Sequence, residues 1–300
     1  MKSGVRRSVE WPTLALGAGI YGAWFALSFG WTALPLWLAA PLMAWILCWH
    51  SSFQHEVIHG HPTRDARLNW ALGYPPLLLW LPFEDYRASH LIHHRDSRLT
   101  DPLDDPESRY CTPEQWASAG PLKRAALRYN ATLVGRLTLG PVWMIAGYLI
   151  AQARMVIRGE GGARRMWAIH LIGVAAVCVW LALVCGIPLW LYILCGVLPG
   201  SALMLIRSFA EHRAAVAVPH RTAVVEDFGP LAWLFLFNNL HAVHHRWPGL
   251  AWYRLPGRYR AHKSALIAQN GGLFYQGYGA VFRRFWNRPH DAPVHPIGRV

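Results

Sequence analysis

Two stretches of this chain, residues 11–50 and residues 167–206, contain no Asp, Glu, Lys or Arg. An apolar helix needs about 20 residues to cross the hydrocarbon of a bilayer, so each block has room for two crossings and a turn. Turn residues stand near the middle of both, Gly30 and Pro35 in the first and Gly186-Ile187-Pro188 in the second. The pattern predicts two transmembrane hairpins, with crossings near residues 13–29, 33–50, 168–186 and 189–206. Residues 70–83 are also apolar, but Gly73, Pro75, Pro76 and Pro82 interrupt them. So short and broken a run is expected at the interface or as a re-entrant segment. Residues 129–157 are largely apolar around Arg136 and Arg154. We expect them to lie in the interface with their arginines snorkelling to water, in preference to a fifth crossing.

Composition agrees with this reading. Hydrophobic residues make up 54% of the chain and charged ones 15%, against about 25% charged in soluble domains. Lys2, Arg6 and Arg7 lie at the amino end; all other Lys and Arg fall within residues 51–166 or from Arg207 onward, and none at a hairpin tip. The positive-inside rule then puts both termini and both polar regions in the cytoplasm. The expected fold is an all-α integral membrane protein, one domain over residues 1–300. Its four transmembrane helices form the hairpins 11–50 and 167–206, and a cytosolic cap with interfacial helices comes from residues 51–166 and 207–300. A net charge of +13 raises nucleic acid as a partner, but no zinc-finger or RNA-recognition spacing supports it. A basic membrane-facing surface, able to attract an acidic protein, accounts for it better. The five cysteines include no C-x-x-C pair, which argues against a disulfide framework or a thiolate metal site. The amino end lacks the small-residue cleavage site of a signal peptide.

The polar regions carry the chemistry. His55 and His59 are spaced i, i+4; His90, His93 and His94 are spaced i, i+3, i+4, and so are His241, His244 and His245. Residues three and four apart share a helix face, so each box can aim its imidazoles at one point. His212, just past the fourth crossing, joins the eight boxed histidines on the same side of the membrane. A fifth crossing over residues 129–157 would put the last box on the opposite side from the first two. Nine neutral nitrogen ligands are too many for one ion and suit two. Imidazole accepts Fe, Zn, Cu or Ni; an apolar membrane setting, where oxidation of an inert C–H bond is plausible chemistry, favours iron. Ligand histidines need partners for their other ring nitrogen, and Glu56, Asp96, Asp101, Glu211, Asp227, Asn238 and His61 are the candidates. His170 is expected to be satisfied by a neighbouring helix, and His220, His262, His290 and His295 to be surface residues.

These boxes, with the phrases Gln54-His55-Glu56-Val57-Ile58-His59-Gly60-His61-Pro62, His93-His94-Arg95-Asp96 and Asn238-Asn239-Leu240-His241, resemble the membrane fatty acid desaturase and hydroxylase superfamily. Within it they resemble the bacterial fatty acid desaturase-like branch. The resemblance implies two iron ions, molecular oxygen as co-substrate, a lipid or acyl substrate, and a separate ferredoxin-, rubredoxin- or cytochrome-type electron donor. It also implies a multi-pass protein of the bacterial inner membrane. Desaturation is the first expectation; hydroxylation, ketolation or oxidative decarboxylation of a hydrocarbon, carotenoid or fatty acid uses the same histidines. A metal transport or storage protein would need polar ligands inside the crossings, and here they gather outside them.

Overall fold

The computed structural model describes residues 9–296. The basic leader and the final four residues lie outside that range, as does the side chain of Asp96. Helix α1 (Trp11–Phe29) opens with Pro12 in its first turn, where the missing N–H has no helical partner to lose. The chain turns through Gly30 to Pro35 and enters α2 (Leu36–Ile58), whose 23 residues extend about 35 Å at 1.5 Å per residue. This helix therefore continues past the end expected near residue 50 and carries His55 in its last turn, with His59 as its C-cap.

Next come α3 (Ala66–Gly73) and α4 (Phe83–His93), joined by an irregular apolar link. The link is buried against the first hairpin, with Leu77, Leu78 and Trp80 in the same core as Trp24, Met43 and Leu47. Buried backbone carbonyls need donors, and here side chains of the hairpins supply them. Tyr192 Oη donates to the Leu77 carbonyl at 2.8 Å and accepts from Trp24 Nε1 at 3.0 Å. His170 Nε2 stands 2.8 Å from the Leu79 carbonyl. His170 is thus satisfied by this link, not by a neighbouring helix as its position in the sequence suggested.

Short helices α5 (Pro113–Ala117), α6 (Pro121–Asn130) and α7 (Leu133–Thr138) lead to α8 (Gly140–Arg158). Helix α9 (Ala163–Val179) runs on through a π-helical stretch to Val184. After the turn at Gly186, α10 (Leu189–Tyr192), a second π-helical stretch and α11 (Leu198–Glu211) form one continuous rod. This rod packs against α2. An ideal Cβ on Gly200 would stand only 3.1 Å from the Ala44 carbonyl oxygen, so glycine is what lets the two hairpins approach so closely.

Among the described residues, five helices are long and apolar enough to cross a membrane, where the sequence pattern predicts four; Gly140–Arg158 is the additional one. Only Gly140, Pro141 and Gln152 of that helix are buried. The described residues after α11 form a two-residue parallel pair of β1 (Val224–Val225) and β2 (Phe274–Tyr275), with α12 (Pro230–Leu234), α13 (His241–Arg246), α14 (Leu255–Gln269) and α15 (Gly277–Phe285). The fold is mostly helical, as expected, with this small strand pair as the exception.

Candidate metal centre

Four separate elements deliver the histidines. Helix α2 ends on His55 and His59, α4 carries His90 and His93 with His94 as C-cap, and α13 holds His241, His244 and His245. His212 follows α11 in extended conformation, at φ −133° and ψ 147°. All nine converge, although nothing in their sequence spacing links one box to another. They sort into a group of five, His55, His59, His90, His94 and His244, and a group of four, His93, His212, His241 and His245. Within each group the ligand nitrogens lie within 4.8 Å of one another. Each of the two three-histidine boxes is divided between the groups, so the centres are neighbours built from shared helices.

The ring contacts identify which atoms face inward. His90 Nε2 is 3.0 Å from Nε2 of both His59 and His94, and His244 Nε2 is 3.0 Å from His94 Nε2. In the other group His212 Nε2 is 3.0 Å from His93 Nε2 and 2.9 Å from His241 Nε2. Two nitrogens bound at about 2.1 Å to one ion, at right angles, would stand about 3.0 Å apart. On the outer side, His90 Nδ1 meets Glu107 Oε1 at 2.9 Å and His93 Nδ1 meets Asp105 Oδ1 at 2.9 Å. His212 Nδ1 donates to the Arg221 carbonyl at 3.1 Å, and His241 Nδ1 faces Glu211 Oε1 and Asn238 Oδ1, each at 3.2 Å. An acceptor at Nδ1 holds the proton there and leaves the Nε2 lone pair bare. Bare lone pairs 3 Å apart repel one another unless a cation lies between them, so the donor set fits a pair of imidazole-bound metals.

Electrostatics favour neutral rings. Burial, followed by repulsion from neighbouring imidazoles, lowers His59 to about 2 and holds His94, His212, His241 and His244 far below the ordinary imidazole value. His93 is the exception: burial lowers it, but Glu107 and Asp105 outweigh burial and raise it to about 9. A cation at Nε2 would take over the role that the proton plays there.

Of the expected orienting groups, Glu211 and Asn238 reach His241. Asn238 Nδ2 also lies 3.3 Å from His55 Nε2 in the other group, so this amide stands between the two. Glu56 instead accepts the Trp252 N–H, Asp101 accepts the N–H groups of Leu103 and Asp104, and Asp227 accepts those of Gly229 and Tyr278. His61 pairs with Glu10 at 2.7 Å. Three residues were not anticipated: Asp105, Glu107 and Arg109. The sequence held a trace of the first two in the acidic turn Asp101-Pro102-Leu103-Asp104-Asp105-Pro106-Glu107, whose X-Pro steps break helix. Asp105 folds that turn back by accepting from the backbone of Thr100 at 2.8 Å and of Glu107 at 2.9 Å. His290 and His295, expected at the surface, are buried.

A sequence model of the family described as Fatty acid desaturase matches residues 29–277, well over half of the chain. No curated protein sequence matches it.

Proposed function

This chain belongs to the fatty acid desaturase family, and from that premise we propose an oxygen-dependent, di-iron membrane oxidoreductase acting on an unactivated C–H bond of a lipid, foremost a fatty acyl desaturase. The observation that carries the proposal is the sorting of nine histidines into adjacent groups of five and four, with the Nε2 atoms of His59, His90, His94 and His244 facing one another in the first and those of His93, His212 and His241 in the second. Two iron ions held there would supply the oxidation of a methylene by molecular oxygen. The protein's part is to fix the imidazoles, keep protons on Nδ1 through Glu107, Asp105, Asn238 and the Arg221 carbonyl, and shield the site from water. Removing two hydrogens from an acyl chain while reducing one dioxygen to two waters consumes two further electrons and two protons. We assign those electrons to a separate ferredoxin-, rubredoxin- or cytochrome-type donor.

The topology follows from the same convergence. His94 and His244 lie 3.0 Å apart, so an even number of crossings separates the second box from the third. With α9 and the α10–α11 rod crossing, α8 lies along the bilayer surface, and the boxes share the cytoplasmic side with the basic segments. Asp85, which accepts from Tyr148 and Gln152 of α8 at 2.7 and 2.9 Å, suits a helix at the interface better than one in hydrocarbon.

Metal analysis of the purified chain with an optical spectrum tests the centre: we expect two irons and no Soret band, and zinc or haem in their place would overturn it. Expression in a host of known lipid composition, with mass spectrometry of the membrane lipids, tests the reaction. Loss of two hydrogens from acyl chains is the expected result; gain of one oxygen would make the enzyme a hydroxylase.

A further inference from the structure

Among the nine histidines, His212 alone lies outside a box, one residue past the end of α11, where helical geometry no longer fixes it. The last carbonyls of a helix lack internal partners; here the Ala223 N–H takes that of Glu211 at 2.8 Å, and a guanidinium far away in sequence takes two others nearby. Arg109 Nη1 donates to the Phe209 carbonyl at 2.6 Å, and Nη2 donates to the carbonyl of His212 itself at 2.7 Å. The same Nη2 lies 2.6 Å from Asp291 Oδ2 and 2.8 Å from His290 Nδ1. Asp291 Oδ2 also accepts from Tyr110 Oη at 2.7 Å, and that hydroxyl in turn accepts the Ala214 N–H at 2.9 Å. The backbone on both sides of His212 is therefore gripped by Arg109 and Tyr110, and both are held by one carboxylate.

That carboxylate sits on a segment outside the helices and strands, but which is tied down along its length. Its backbone bonds run from His290 N to the Ala131 carbonyl, from Cys111 N to the Pro293 carbonyl and from His295 N to the Cys111 carbonyl, each 2.9 Å long. Tyr275 Oη meets His290 Nε2 at 2.9 Å. The Arg109–Asp291 pair is only 16% and 27% exposed, which shields it far better than a surface ion pair.

We propose that residues 289–295 form a strap that completes the four-histidine centre, with Asp291 and Arg109 as positioning residues setting His212 through its backbone. The inference rests on the di-iron reading above. The strap's contacts described above reach the metal groups through Arg109 and Tyr110 at the end of α11, so its loss weakens one centre and spares the other. Asp291→Asn removes the charge that holds the Arg109 fork. Arg109→Lys keeps a cation but cannot reach two carbonyls and a carboxylate at once.

The test uses the full-length chain in detergent, reconstituted anaerobically with Fe2+ and analysed for iron per chain. Co2+ loading gives a second, spectroscopic readout. Wild type is expected to hold two metals. Asp291→Asn and Arg109→Lys should each retain one tightly and bind the other about ten- to hundredfold more weakly, the range typical of lost outer partners. Asp291→Glu should restore the second metal. Asp85→Asn, which breaks a comparable side-chain contact whose partners, Tyr148 and Gln152, lie on α8, should keep both. Two metals bound as in wild type by both Asp291→Asn and Arg109→Lys would overturn the strap. Loss of both metals together from these variants would make the role general to folding and overturn it as well. Wild type without a metal pair would remove the underlying reading and the strap with it.

Discussion

The two histidine groups contain the same ligand chemistry and are assembled in opposite ways. In the five-histidine group every ligand comes from an i, i+3 or i+4 pattern on α2, α4 or α13, either in the helix or at its C-cap. The four-histidine group depends on His212, an extended residue whose ring is fixed by the Arg221 carbonyl and whose backbone is fixed by Arg109. One centre is specified mostly by local periodicity, the other by contacts that span 103 residues to Arg109 and 182 from there to Asp291. The second should be the more easily uncoupled.

The largest effects should come from the ligands. His244→Ala strips the five-histidine group and His93→Ala the four-histidine group; each is expected to abolish lipid product while membrane insertion, followed by fractionation, is retained. Undiminished product from both would refute the site. Next are the carboxylates on the rings. Asp105→Asn should weaken metal binding at the group containing His93 by about ten- to hundredfold, and Glu107→Gln chiefly at the group containing His90, with a smaller loss at the other because its second oxygen lies 3.9 Å from His93 Nε2. Titration with Co2+ would read the two separately, and equal loss at both groups in either variant would blur the division.

A smaller effect should come from pH. Burial, then the Arg109 charge, lowers the pKa of His290. The unfolded chain therefore takes up that proton first, near the ordinary value of about 6.5. Its contribution to stability is present above that value and falls as the pH drops below it. Hydrogen-exchange protection across residues 287–295, taken relative to the intrinsic amide rate at each pH, should fall from pH 7 to 5.5 in wild type, whereas His290→Gln should flatten the dependence. The smallest change is expected for Asp227→Asn, since Asp227 serves the backbone of Gly229 and Tyr278. Metal content equal to wild type would agree; loss of a metal would return Asp227 to the centre.

What could be read from the sequence follows the same division. The uncharged blocks gave both hairpins because hydrocarbon thickness imposes a length on any spanning helix. The boxes were legible because side-chain direction repeats every three or four residues. The partition of each three-histidine box between two groups was not legible, since it depends on how α2, α4 and α13 pack. Asp105 and Glu107 were passed over because a turn rich in acid and proline resembles a solvated loop until its fold-back is known. Arg109, Asp291 and His290 carried no periodic signal at all. Glu56, Asp101 and Asp227 were put forward for being acids near the boxes in sequence, but the hydrogen bonds described above serve the backbone.

The strap also has a consequence for biogenesis. Residues 289–295 leave the ribosome after every ligand has been synthesised, so both hairpins are expected to be inserted before the last centre can close. On the di-iron and strap proposals, ion loading at the four-histidine site would become a post-translational maturation step, and a translation product stalled before Asp291 would be membrane-bound but incompletely metallated.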